Sequence, residues 1–282
     1  MAEYDNTKLF YTKTVQGHVI KTLFEIIKGT LEHDTNMRLS KEGISIKDMD
    51  GSHTTLVHMK LNAEGMDEFV LNTNKLNVGI NAHKFYSHLK TINRDETLTL
   101  FIEKGKENVM GFSVYAKGDS TLAGSSWVSD RYLNILDVND EELHINDKDY
   151  NLVINMSSQT FQKLCREFKN IASQNITIIY DYKWLILEAK GDGSSQKTFV
   201  PLVTETDDDM GEGDSVNGKE KDHYHATFNL NKIIEFSKFQ SLSSTIQICM
   251  KQDCPIIFKC PISDIGELKV CITPVSDEYE DM

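Results

Sequence analysis

No stretch of the 282 residues approaches the ~20 consecutive apolar positions that a membrane-spanning helix needs. The first residues, MAEYDNTK, have neither the basic start nor the apolar stretch of a secretion signal. The expectation is a protein that acts inside a cell, in water. CxxC pairs are missing as well. Cys165 stands alone, and Cys249, Cys254, Cys260 and Cys271 lie singly in strand-like stretches. Zinc sites usually show close pairs, so buried reduced thiols are expected, with no metal and no cofactor. Nor does the chain carry GxGxxG, a P-loop, GxSxG or HExxH. Finally, it has no excess of positive charge. Its formal net charge is -13, which taken alone argues against nucleic acid, because an acidic surface repels phosphates.

What is present is a globular composition, 39% hydrophobic and 26% charged, long enough for two domains of ordinary size. Helical spacing runs over 15–31, with Val19, Ile20, Leu23, Ile26 and Ile27 on one face. Alternating stretches around Gly43 then predict a hairpin, followed by a helix over 82–92 with Phe85, Leu89 and Ile92 inward. After TLTLFIE and VMGFSVYA the pattern restarts. A helix is predicted over 157–171, strands follow, then a helix over 230–240 and further strands. This repeat of architecture implies an α+β fold of two similar domains, each with two helices packed on antiparallel sheet. The expected domains are 1–132 and 151–282, joined by an acidic, aperiodic connector over 133–150. Residues 204–225 are read as a polar loop between strands. An EF-hand beginning at Asp207 fails there, because Gly211 and Gly218 occupy ligand positions.

Resolved along the chain, the charge is uneven. The four helical segments hold Lys21, Lys28, Lys84, Lys90, Lys163, Arg166, Lys169, Lys232 and Lys238 against only Glu25, Glu167 and Glu235. That surplus of six leaves -19 for the remainder. Each apolar stripe is expected to face the sheet, so each basic stripe faces outward. Lys-rich solvent faces are ordinary on one helix. On four of four, in so acidic a chain, they point to a polyanion held through phosphates without base readout.

Two long segments carry a resemblance. LSKEGISIKDMDGSHTTLVHMKL (39–61) and SLSSTIQICMKQDCPIIFKCPISDIGELKVCITP (241–274) closely resemble the proliferating cell nuclear antigen family, the eukaryotic-type DNA sliding clamps. Shorter echoes are VQGHVIKTL, VGIN and FQKLCREFKNI, in the same order along nearly the whole chain. The resemblance implies a homotrimeric ring around duplex DNA, helices lining the hole, that tethers a polymerase, a clamp loader and other clients. It carries Lys21, Lys28, Lys90, Lys163, Arg166 and Lys238 onto basic channel positions. Thr22, Ser87 and Asn231 depart from family Lys or Arg, with Lys84 and Lys232 nearby. A partner pocket is implied at Met49, His53, Leu56, Leu143, Ile145, Pro255, Ile272 and Pro274, where clients insert a helical turn with one aliphatic and two aromatic anchors. His144 and Asn146 stand where Gly and Pro are usual. The family lysine used for ubiquitin-type modification aligns near Asp181, with Lys183 two residues on. Residence follows in the nucleus for a cellular member, or in a cytoplasmic replication compartment for a viral one.

The resemblance also implies that ring subunits pair SWVSDRYL (126–133) with QKTFVPL (196–202) of a neighbour. Pro201 has no amide donor. It marks the end of that strand, or a weak ring, or none. The second reading is a monomeric processivity subunit of the same fold. Enzymatic readings are weaker. His223 and His225, GDGSS (191–195), and Asp48, Asp50 with His53 read as solvated histidines, a tight turn, and a turn beside the pocket. No catalytic residue is expected.

Overall fold

The computed structural model describes residues 7–116, 126–139, 143, 150–204, 215–217 and 223–275. The chain forms two compact units. The first is Met1–Gly51, Val57–Leu143 and Ile262–Glu267, and the second is Ser52–Leu56, His144–Pro261 and Leu268–Met282.

The first unit begins with β1 (Lys8–Thr14), α1 (Gly17–Thr30), β2 (Asp34–Ser40), β3 (Gly43–Met49) and β4 (Thr55–Asn62). It continues through β5 (Glu68–Leu71), β6 (Lys75–Asn81), α2 (Ala82–Leu89), β7 (Glu96–Glu103), β8 (Val109–Ala116) and β9 (Trp127–Asn134). One sheet has the order β5-β1-β7-β8-β9, while β4, β3, β2 and β6 lie side by side in another. Alternation sets which face is buried. Thr35, Met37 and Leu39 of β2 point inward, as do Val57, Met59 and Leu61 of β4. The helices cover this inner face. Phe24 of α1 stacks on Phe85 of α2 at 4.1 Å, and Phe85 meets Phe112 of β8 edge-on at 4.9 Å.

The second unit comprises β10 (Leu152–Ser157), α3 (Ser158–Lys169), β11 (Asn175–Asp181), β12 (Trp184–Lys190) and β13 (Ser195–Pro201). Then come β14 (Val203–Thr204), β15 (Ser215–Asn217), β16 (His223–Asn229), α4 (Leu230–Glu235) and a 3-10 turn, Phe236–Ser241. The last described strands are β17 (Thr245–Met250), β18 (Ile256–Ile262) and β19 (Gly266–Ile272). Here the sheets run β13-β12-β11-β16 and β14-β15-β10-β17-β18-β19. The ladders are antiparallel apart from the short β14–β15 pair. Phe161, Leu164, Cys165 and Phe168 of α3 bury themselves with Ile233 of α4 and Phe258 of β18. Burial pushes the Cys165 thiol up to about 12, so it packs as an inert apolar group. All five cysteines are free thiols, four buried and Cys271 half-buried.

Three of the four described α-helices leave directly from a strand whose last residue caps them. Asn81 accepts from the Lys84 amide (3.0 Å), Ser157 from Thr160 (3.4 Å) and Asn229 from Asn231 (3.0 Å). The helix orientation is thereby fixed by the strand, with no linker residue between.

Several sequence expectations need adjusting. The helix expected over 230–240 is an α-turn that tightens into 3-10 after Glu235. Phe236 and Phe239, three apart, both point into the core, and a 3-10 turn puts such a pair on one line. The polar loop expected over 204–225 contains β15, which pairs with β10. Residues 205–214 and 218–222, including Asp207, Gly211 and Gly218, lie outside the described residues. Of the connector expected over 133–150, Leu133 and Asn134 finish β9. The Leu136 amide then donates to Gly79 (2.8 Å), and Asn36 donates to the carbonyls of Val138 (3.0 Å) and Asn139 (3.2 Å). A Cβ on Gly79 would stand 2.2 Å from the Leu136 oxygen, so this crossing requires glycine. Residues 140–142 and 144–149 lie outside the described residues.

Candidate nucleic-acid and partner interfaces

In the first unit α1, α2 and the residue that ends α2 carry four of the candidate cations. Lys84 and Lys90 are exposed. Lys21 is half-buried and its ammonium donates to the carbonyl of Ile92. Lys28 is also half-buried, its Nζ 3.8 Å from the centre of the Tyr86 ring. Sequence reasoning missed two neighbours, His18 and Arg94. Burial lowers the His18 pKa, and the charges of Arg94 and Lys21 lower it further, so the imidazole is held neutral. The available signal was spacing: His18 is three residues before Lys21, on the same helical side.

In the second unit α3 is sharply divided. Lys163, Arg166 and Lys169 are exposed, opposite the buried Phe161, Leu164, Cys165 and Phe168. Glu167 lies 3.9 Å from Lys163, a contact too exposed to hold that ammonium away from another anion. Lys238, in the 3-10 turn, is exposed. Lys232 behaves differently. It is half-buried and donates to the hydroxyls of Ser52 (2.8 Å) and Thr54.

That contact leads to the residues the sequence offered as candidates for partner binding. Thr54 offers its carbonyl to the amide (2.9 Å) and hydroxyl (3.2 Å) of Thr273. The segment around His53 and Leu56 is thus held beside Ile272 and Pro274. His53 is exposed and has φ 54°, a left-handed backbone uncommon outside glycine. Leu56 and Pro274 are half-buried, whereas Ile272 is 1% exposed and supports the others from beneath. Pro255 sits at the turn before β18, where its carbonyl accepts from the Tyr150 hydroxyl (3.0 Å). Met49 and Leu143, both half-buried, belong to the first unit, and Ile145 lies outside the described residues. Val275, unmarked in the sequence, is 38% exposed and its amide donates to Thr227 (2.8 Å), which pins the tail to β16.

Each sheet has two end strands among the described residues, and two of these six are the strands singled out in the sequence for pairing between subunits. β9 ends one sheet and β13 another. The Ile135 amide donates to Asn108 on the β8 side (2.8 Å), so the even-numbered residues of β9 turn their amides outward. The Leu202 amide donates to Lys183 (2.9 Å), so the odd-numbered residues of β13 do the same. Pro201, the last residue of β13, therefore lacks its donor on the open side and interrupts no bond to β12. Exposed apolar side chains accompany both edges: Val128 (60%) and Tyr132 (59%) on β9, Phe199 (53%) on β13.

His223 and His225 are exposed on β16, and no group of three or more potential metal ligands occurs among the described residues. Likewise, no described helix is long and apolar enough to cross a membrane.

Comparison with known proteins covers nearly the whole chain. The family model described as "Proliferating cell nuclear antigen, N-terminal domain" matches residues 9–141, and its C-terminal counterpart matches 144–275. The chain is 28% identical over 276 residues to the proliferating cell nuclear antigen of Caenorhabditis elegans, covering 97% of this chain and 100% of that one. It is 25% identical over 276 residues to the "Probable DNA polymerase sliding clamp 1" of Paramecium bursaria Chlorella virus 1, covering 96% and 98%. Its fold is similar to the crystal structure of the antigen from Entamoeba histolytica, with a TM-score of 0.81 at 22% identity over 95% of this chain and 100% of that one.

Proposed function

The chain belongs to the proliferating cell nuclear antigen family, and from that premise we propose that it is a DNA sliding clamp, a polymerase processivity factor that holds duplex DNA without reading its sequence. The observation that carries this is the exposed row Lys163, Arg166 and Lys169 opposite the buried Phe161, Leu164, Cys165 and Phe168, in a chain of net charge -13. The acidic remainder repels DNA elsewhere and leaves the helices as the place where phosphates are met. Lys238 in the second unit and Lys84 and Lys90 in the first are exposed as well, and Lys21 and Lys28 in the first are half-buried. The protein acts by holding and not by chemistry. Its site of action is the nucleus for a cellular member or a cytoplasmic replication compartment for a viral one.

The ring is a head-to-tail assembly in which β9 of one copy pairs with β13 of the next. One register is favoured. Facing outward-bonding residues across an antiparallel seam sets Val128 opposite Phe199, Asp130 opposite Lys197 and Tyr132 opposite Ser195. It joins a β-branched residue to an aromatic and opposite charges to each other. A shift of two residues one way would put Val128 opposite Pro201, which has no amide. The other way would put Val128 opposite Lys197. Clients bind at Met49, His53, Leu56, Leu143, Ile145, Pro255 and Pro274, with Ile272 beneath. They include a polymerase and a clamp loader.

Light scattering at micromolar concentration tests the ring, the expected result being three times the mass of the chain. A strictly monomeric mass would overturn it. Titration of duplex DNA against salt tests the basic face, and binding insensitive to salt would refute it.

A further inference from the structure

Lys232 stands among the basic residues of the helices by sequence, but its side chain does something the others do not. Its ammonium is spanned by two hydroxyls, Ser52 Oγ at 2.8 Å and Thr54 Oγ1, and those hydroxyls lie 2.8 Å from each other. Between them in the chain is His53, held at a left-handed φ of 54°. On the other side Thr273 donates twice to the Thr54 carbonyl. The turn that displays His53 is thus clamped from α4 through Lys232 and from the tail through Thr273. An unfavourable backbone conformation persists only where its surroundings over-determine it. Lys232 supplies a large part of that determination, because a single ammonium satisfies both flanking hydroxyls.

We propose that Lys232 is a positioning residue for the client peptide and not a phosphate ligand. It sets the conformation of Ser52–Thr54 and so the place of His53 beside Leu56 and Pro274. The inference rests on the assignment of that surface to clients. It adds a specific consequence: a charge on a helix counted with the DNA side governs peptide affinity, while DNA affinity does not depend on it.

The test uses the full chain and a synthetic peptide with one aliphatic and two aromatic anchors on a single helical turn. Peptide binding is read by fluorescence anisotropy and duplex binding by titration at several salt concentrations. Lys232→Met is expected to weaken the peptide on the order of tenfold. Lys232→Arg, which keeps the donors, should stay within about twofold. Ser52→Ala, which removes one acceptor without touching α4, should weaken the peptide in the same direction. The salt slope for duplex DNA should be the same in all three. Leu56→Ala serves as the control for the surface itself. If Leu56→Ala weakens the peptide and both Lys232→Met and Ser52→Ala leave it unchanged, the positioning role fails while the client surface stands. If Leu56→Ala is also without effect, the surface assignment fails and the inference with it. A salt slope lowered by about 0.9 in Lys232→Met would identify a phosphate contact and overturn the proposal.

Discussion

The ammonium of Lys28 lies 3.8 Å from the centre of the Tyr86 ring, so a cation of α1 is seated on an aromatic of α2. Glu25 lies close to the same phenol, and burial together with that carboxylate raises the Tyr86 pKa. The two helices of the first unit are therefore joined by charge on their outer side as well as by Phe24 and Phe85 within. Tyr86→Ala should destabilise the protein by ~1 kcal/mol or more, and Tyr86→Phe by much less, since the ring face is kept. Urea unfolding of both variants measures the difference, and equal losses would assign the effect to the hydroxyl.

The seam register predicts a charge-swap result. Lys197 is paired at 3.0 Å with Glu188 of its own sheet, both about half exposed, and is available to a second carboxylate. Lys197→Glu or Asp130→Lys should each lower the solution mass at micromolar concentration. The double variant Asp130→Lys/Lys197→Glu should recover it. Failure of the double variant to recover, with each single variant dissociated, would rule out this pairing.

Salt sensitivity is predicted for α3. If Lys163, Arg166 and Lys169 each neutralise one phosphate, replacing all three with Ala should lower the slope of log affinity against log salt by roughly 2.7. Titrations of a duplex between low and moderate salt measure it. An unchanged slope would move the DNA contact to another surface.

Acid should weaken the first unit. His18 and His88 both have pKa values lowered from the ordinary 6.5, chiefly by burial and then by nearby cations, Arg94 and Lys21 for the first and Arg131 for the second. The unfolded chain binds protons that the folded chain refuses, so stability is complete above the ordinary histidine value and is lost as pH falls through the lowered ones. Thermal unfolding followed from pH 7.5 to 5 should show a falling midpoint, and His18→Gln with His88→Gln should flatten that fall. An identical pH profile in the double variant would remove both residues from the account.

How far the sequence reveals this molecule depends on the range of the interaction. The periodicities of α1, α2 and α3 are local, and Phe161, Leu164, Cys165 and Phe168 identified the buried face of α3 without further help. In contrast, the tightening after Glu235 was hidden, because Phe236 and Phe239 at a spacing of three suit an α-helix and a 3-10 turn alike. β15 was hidden by the acidic residues around it, since its identity as a strand comes from pairing with β10 and not from its own composition. Charge was legible but its destination was not. Lys232 and Lys163 look equivalent on paper, yet one is held by a hydroxyl 180 residues away. Among the candidate pocket residues the sequence could not separate Ile272, which is core, from Pro274, which is half-buried.

In the proposed ring, Pro201 would set how easily the seam parts. Outward amides on β13 are available at Ser195, Lys197 and Phe199, and the next position has none to offer. A seam of this kind unzips most readily from the end with the fewest bonds, and each bond withheld spares roughly 0.5–1.5 kcal/mol of the work of separation. A closed loop on an endless thread must be pried apart before the thread can enter. The proline end is where the breach would start.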